Sequence, residues 1–257
     1  MKKPQVSLFL TTYNWPEALS LCLQSIASQS LLPNEVIVAD DGSGDETKAI
    51  VEKFQNNFPC PLIHVWQEDK GYRINTIRNQ AIKKTSFSYI IQIDGDIICD
   101  KDFIKDHISF ARKNRFVIGR RVNINKAQTN HFCQTVKFDG INSFRNKTIA
   151  ILHQQLLYNH KTVKGVRGCN MAYWRDDAFK ANGYDENMTS KGPNDKEFAV
   201  RLVNNGIKAY NLKFYAIAYH LHHGEEGLRT NYKMLKQLYD EALATNKKVC
   251  SNGLKQL

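Results

Sequence analysis

Three short apolar runs, each ending on a polar cluster, constrain the fold of this chain more than any other feature. Val6 to Leu10 ends at Thr11-Thr12-Tyr13-Asn14, Glu35 to Ala39 at Asp40-Asp41-Gly42-Ser43, and Tyr89 to Ile93 at Asp94-Gly95-Asp96. Unbroken runs rich in β-branched and aromatic residues read as strands buried on both faces. Between them the period changes. Pro16 and Glu17 open a stretch in which Leu19, Cys22, Leu23 and Ile26 recur at helical spacing, and Asp45 to Phe54 and Asn75 to Lys84 also read as helices. With a further strand at Leu62 to Trp66, the first hundred residues spell a β-α-β-α-β-α-β series. Such alternation predicts a mostly parallel sheet with helices on both faces. All three polar clusters then fall at the C-terminal strand edge, where open α/β sheets bind ligands.

The rest is less regular. A helix is expected over Phe103 to Asn114, a strand near Phe116 to Ile118, and an insertion on the acceptor side over Asn123 to Gly165 with a helix around Thr148 to Asn159. Order returns with a helix at Asp195 to Asn205, a strand near Ala209 to Tyr219 and a helix over Leu228 to Ala244.

Composition narrows the class. A 257-residue chain with 42% hydrophobic and 24% charged residues can bury a sizeable core. Its six cysteines form no C-x-x-C pair and suit a reduced compartment. Lys2 and Lys3 precede Pro4 without a cleavage-site pattern, and no apolar run approaches the roughly 18 residues of a membrane span. The expectation is a soluble cytoplasmic protein. The net charge of +11 raises the question of nucleic acid, but neither a basic aromatic platform nor a helix-turn-helix signature is present. An anionic nucleotide diphosphate accounts for the excess better. From Leu228 onward six Lys/Arg face two Asp/Glu, so this tail is expected either to touch anionic membrane, where a lipid-linked acceptor would sit, or to be a merely solubilising surface.

Several clusters carry chemistry. Asp94-x-Asp96, after an apolar strand, offers a hard oxygen site for Mg²⁺ or Mn²⁺ that would bridge diphosphate oxygens; alone, such a pair can be a solvated turn. Asp40 and Asp41 can accept hydrogen bonds from a base or ribose, or can shape an ordinary turn. Arg73 and Arg78 follow the Gly71-Tyr72 turn, and a guanidinium there could grip a diphosphate or pair with Asp94. In His220-Leu221-His222-His223, positions i and i+2 share a face of an extended chain, so His220 and His222 could join Asp96 on one metal. Asp195 opens a helix, where it could be a cap or a base.

Together, Val6 to Asn14, Asp40-Asp41-Gly42-Ser43, Gly71 through Asn79 and Asp94-x-Asp96 resemble family-2 glycosyltransferases of the GT-A fold, with Gln67 to Asn79 similar to the bacterial chondroitin-polymerase type. Gly168-Cys169-Asn170-Met171-Ala172, Arg175, Phe179 and Gly183-Tyr184-Asp185-Glu186 are similar to the C-terminal module of β-1,4-galactosyltransferases. The resemblance implies an α/β GT-A domain over 1–225, with a nucleotide-sugar half (1–120), an acceptor and catalytic half (121–225) and a basic helical tail (226–257). It implies a UDP-sugar donor and a glycan acceptor, Mn²⁺ or Mg²⁺, and inversion at the anomeric carbon, as in bacterial surface polysaccharide synthesis. Thr11, Tyr13, Asp40 and Asp41 would hold uridine; Arg78 and Asp94 would lie against ribose and diphosphate, with Arg73, Gly168, Asn170 and Asn194 also on the donor side. Asp96, His220 and His222 would bind metal, and Asp195 would be the catalytic base. Two departures stand out: Asn194 replaces the family's usual Glu before the catalytic Asp, and Gly192-Pro193 replaces Gly-Trp-Gly, removing an aromatic platform for the sugar. The rival readings are a non-catalytic nucleotide-sugar-binding scaffold and a sugar nucleotidyltransferase; the second would want an early glycine-rich loop, which Val6 to Asn14 lacks.

Overall fold

A computed structural model describes residues 3–135, 145–156, 158–224 and 231–256. The predicted series appears as β1 (Val6–Thr12), α1 (Pro16–Ala27), β2 (Glu35–Asp40), α2 (Asp45–Gln55), β3 (Leu62–Trp66), α3 (Ile74–Lys84) and β4 (Tyr89–Asp94). Then come β5 (Ile97–Cys99), α4 (Phe103–Phe110), β6 (Arg115–Ile118), β7 (Arg120–Asn123), α5 (Lys126–Thr135), α6 (Lys147–Leu156), β8 (Asn170–Trp174), α7 (Arg175–Lys180), α8 (Asn194–Asn204), β9 (Lys208–Asn211), β10 (Ile217–His220) and α9 (Tyr232–Ala244).

The large sheet has the order β3-β2-β1-β4-β8-β6-β9, parallel except for β8, which runs antiparallel to both its neighbours. Every residue of β1 and β2 is buried, as strands covered by helices on both faces require. Two apolar clusters result, one on each side: Leu8, Leu10, Val36 and Ile91 face α1, while Phe9, Ile37 and Ile90 face α3 and α8. Register then fixes the site. Thr11 pairs with Asp94 and Thr12 with Asp40, so three strand ends stop at one level. β8 enters at that level, with Asn170 opposite Ile93.

Four expectations change. The helix expected to Asn114 ends at Phe110. The strand expected over Ala209 to Tyr219 is two strands, β9 in the large sheet and β10 in a second sheet of order β5-β10-β7. The break is a tight corner at Ala216, whose φ is +49° and whose N–H is held by the Asp106 carboxylate at 3.1 Å. The insertion, which begins where β7 ends, contains α5 as well as α6, whose expected extension to Asn159 stops at Leu156. Its residues 136–144, like the expected helix start at Leu228 and the boundary at 225–230, lie outside the described residues.

The segment expected as a tail packs against the rest of the chain. Asn204 donates to the carbonyls of Ala242 and Lys247, Asn182 donates to that of Cys250, and Leu254 N–H donates to the Asn182 carbonyl. Leu235, Ala242, Cys250 and Leu254 are buried. Apolar burial, invisible in a charge count, holds this segment down.

Helix α8 carries a fully buried ion pair, with Arg201 Nε donating to Glu197 at 2.7 Å. Removing one partner strands the other in the core. Glu197→Ala should therefore cost about 3–5 kcal/mol in urea denaturation; a loss under about 1 kcal/mol would mean Arg201 finds another acceptor.

Candidate active site

Arg78 is the hub. Helix α3 presents it, almost fully buried, between two carboxylates: NH1 donates to Asp195 Oδ1 at 2.9 Å, and NH2 lies 3.5 Å from Asp94 Oδ1. Its guanidinium also lies 5.0 Å from the Tyr184 ring centroid. Burial disfavours its charge, but Asp195, Tyr184 and Asp94 more than offset that and hold its pKa above the ordinary value. Asp94, pushed up by burial and held back by Arg78, also accepts from Thr11 Oγ1 at 2.8 Å. Asp195 stands in the first turn of α8, where backbone N–H groups favour a carboxylate. Gly168 lets the chain pass: a Cβ there would land on the Asp195 carboxylate and the Arg78 guanidinium.

Neighbouring loops fix this geometry. Asn79 Nδ2 donates to the Tyr184 carbonyl at 2.9 Å and its Oδ1 accepts from Tyr184 N–H at 2.8 Å, while Asn75 Nδ2 donates to the Asp185 carbonyl. Glu186 is bound by Thr76 and Asn79. The Gly183-Tyr184-Asp185-Glu186 motif thus clamps the second half of the chain onto α3, and Glu186 and Glu197 are committed to structure.

A second cluster lies beyond the turn at Gly95. Asp96 Oδ2 is 3.3 Å from His220 Nε2 and 3.5 Å from His223 Nε2. These three residues are the one group among the described residues that offers three ligand atoms within 4.8 Å of one another. Asp96 Oδ1 is buried without a hydrogen-bond partner. Burial pushes the Asp96 carboxyl up, and burial, with Arg121 and His223, pushes His220 down to about 4. One open carboxylate oxygen beside two imidazoles fits a divalent cation. His222, expected as a ligand, is not brought in: it is exposed, and its N–H donates to Thr129 Oγ1 at 2.8 Å. His223 takes the place expected for it.

The remaining expected residues divide. Asp41 is bound by Gln67 Nε2 and by Arg73 N–H, and burial pushes it up to about 6. Tyr13, 52% exposed, donates to Asp69 at 3.0 Å and flanks the same rim. Asn194 sits beside Asp195 with its buried Oδ1 unpartnered. Three others have structural work. Asp40 is fully buried, accepting from Ser43 N–H at 2.8 Å and contacting His64 Nε2 at 3.0 Å, so both its oxygens are engaged. Asn170 is also buried, contacting His107 at 2.9 Å and donating to the Ala216 carbonyl at 2.9 Å; it joins the two sheets. Arg73 reaches back to the Glu68 carbonyl instead of joining Arg78. Sequence reasoning passed over Tyr72, which is 39% exposed and in electrostatic contact with Arg78, Asp195, Asp94 and Asp41. An aromatic between Gly71 and Arg73 was the available signal.

A mixed, mostly parallel sheet whose β4 ends in a D-x-D motif, with a histidine cluster from the second sheet and a helix-borne acid across one arginine, is the architecture of a GT-A glycosyltransferase. The chain belongs to glycosyl transferase family 2, whose pattern matches residues 7–176. Residues 153–224 also match the family described as N-terminal domain of galactosyltransferase. Chondroitin synthase of Escherichia coli is 25% identical over 84% of this chain, which spans 34% of that protein's length. Hyaluronan synthase of Pasteurella multocida is 28% identical over 40% of the chain and 11% of its own length. Among solved structures, S. aureus TarS 1-349 in complex with UDP-GlcNAc has a TM-score of 0.65 at 19% identity, covering 94% of this chain and 66% of that one. The mannosyltransferase PcManGT from Pyrobaculum calidifontis, in complex with GDP-Man and Mn²⁺, has a TM-score of 0.64 at 17% identity, covering 88% and 59%. At such identities the likeness speaks for the fold. No helix among the described residues is long and apolar enough to cross a membrane.

Proposed function

We propose that the chain transfers a hexose or N-acetylhexosamine from a UDP-sugar to a glycan acceptor in one metal-assisted displacement that inverts the anomeric centre. The observation that carries this reading is Arg78 of α3 bridging Asp94 at the end of β4 and Asp195 in α8, which holds a charge-neutralising group and an acid side by side. Tyr13 and Asp41 line the rim where the base would sit. Asp96, His220 and His223 would hold Mn²⁺ or Mg²⁺, which when bound neutralises charge on the diphosphate. Arg78 adds a guanidinium where charge develops on the leaving group. With Oδ1 of Asp195 held by Arg78, Oδ2 is the oxygen that takes the proton from the attacking hydroxyl. One displacement with no protein nucleophile inverts configuration. The sugar-nucleotide complex of TarS, the Mn²⁺ complex of PcManGT and the polysaccharide synthases among the relatives support this reading.

Release of UDP from a panel of UDP-sugars, with product configuration read by NMR, tests it; retention of configuration would exclude a single displacement. The histidines give a sharper check. Mn²⁺ titrated in the presence of UDP should bind His223→Ala at least about tenfold more weakly than the parent, and His222→Ala no differently. Equal losses would return His222 to the ligand set.

A further inference from the structure

The positive charge of this chain is confined. Residues 107–175 hold 13 Lys/Arg and a single acid, Asp139, leaving 23 Lys/Arg against 24 Asp/Glu for the other 188 residues. The whole net charge of +11 therefore belongs to this one segment. The fold lays part of it out as a path. Strand β9 is the edge of the large sheet, and the chain from His160 to Lys164 runs beside it: Ala209 N–H donates to the His160 carbonyl at 2.9 Å, and Asn211 Nδ2 to the Lys164 carbonyl at 3.5 Å.

At the foot of this edge the Tyr210 ring stacks on His160 at 4.3 Å, and the Arg115 guanidinium lies 4.2 Å from the Tyr210 centroid. They line a cleft of about 340 Å³. Lys161 and Lys164 stand exposed along the way. At the top, Arg167 immediately precedes Gly168, which packs on Asp195 and Arg78. Arg121, opposite Ala218 in the register of β7 and β10, lies on the face that carries His220. Its Nε is buried without a partner. Burial, then the neighbouring Arg121 and Arg120, lowers the pKa of Arg167, and Arg121 also acts on the Asp96 carboxylate. Among the described residues, none of Arg115, Arg120, Arg121, Lys161, Lys164 and Arg167 has a carboxylate within ion-pair distance. Uncompensated charge of one sign beside a cleft is a field for a ligand of the other sign.

We infer that the acceptor is a polyanionic glycan, bearing carboxylate, sulfate or phosphate groups, which lies along β9 with its reacting end at Asp195. This rests on the glycosyl-transfer reading. Cations that follow a strand edge over about 13 Å, past an aromatic stack and into the catalytic acids, suit a chain better than the flat face a membrane needs.

The test reads binding apart from turnover. Fluorescently labelled oligogalacturonate, a polycarboxylate, and its neutral methyl ester are titrated against the full chain, with and without UDP and Mn²⁺. The polycarboxylate should bind at least tenfold tighter than the ester, and less tightly as salt rises. Arg115→Gln/Lys161→Gln/Lys164→Gln should remove that advantage and leave UDP affinity unchanged. A control removing the same charge elsewhere, Lys53→Gln/Lys84→Gln/Lys248→Gln, should keep it. Equal binding of the ester, or equal losses in the two triple variants, overturns the inference, the second by assigning the effect to bulk charge. Retention by phosphatidylglycerol vesicles that the same path variant abolishes, without oligogalacturonate binding, overturns it in favour of a membrane surface. UDP release without polyanion binding sinks the acceptor class alone. Path-dependent polyanion binding without UDP release from any donor sinks the glycosyl-transfer reading and leaves the anion path standing.

Discussion

Asp195→Asn should lower kcat by about 10²–10⁴-fold, the range for loss of a general base, with UDP affinity barely changed. The substitution keeps an oxygen for Arg78 and the helix position but cannot accept a proton. The proposed nucleotide rim, at Tyr13 and Asp41 just past the ends of β1 and β2, does not depend on α8 for its shape. The interaction lost belongs to the transition state, so kcat falls and KM for the donor does not rise. A variant that keeps kcat but melts several degrees lower would make Asp195 a helix-terminal and Arg78-pairing residue only. The two neighbouring glutamates do not compete for the role: Glu197 is locked to Arg201, and Glu186 to Thr76 and Asn79.

Asp96→Ala should be the most damaging single change, at least about 10³-fold in kcat, which is about 4 kcal/mol of barrier. Its Oδ1 is the buried acceptor without a protein partner, so the substitution removes the carboxylate ligand and leaves two imidazoles. UDP should also bind more weakly, because the diphosphate keeps its repulsion from Asp94. Treatment with EDTA should reproduce the loss in the parent and add little in the variant. Full activity of the parent in EDTA would remove metal from the mechanism.

The parallel half of the fold was legible because its strands are buried on both faces and its helices keep one period. The second sheet was not. β5 is three residues long, β7 is Arg120-Arg121-Val122-Asn123, and β10 comes from a hundred residues further on; none shows an alternation of its own. The site shows the same division. Asp94 and Asp96 were readable because they follow a strongly patterned strand, and Arg78 and Asp195 because they lie on strongly patterned helices. The choice of His222 assumed that extended chain continues past His220, but β10 stops there, and the ring that returns to Asp96 is that of His223. Asp40 and Asn170 look like ligand groups in sequence, and only the fold reveals that His64 and His107, 24 and 63 residues away, already occupy them.

The stitching of Leu254 beneath the Asn182 to Tyr184 turn bears on the order in which the site comes into being on the ribosome. Residues that form the nucleotide rim are all made once Asp94 has emerged, whereas the turn that seats Arg78 and Asp195 waits for a contact 160 residues later. At ordinary elongation rates of 5–20 residues per second, that interval is roughly 8–32 s. During it the strand ends proposed to meet the nucleotide are complete, while the proposed acid is not yet seated. On the proposed reading, catalytic competence comes late in synthesis, after the segment that holds the Asn182 to Tyr184 turn.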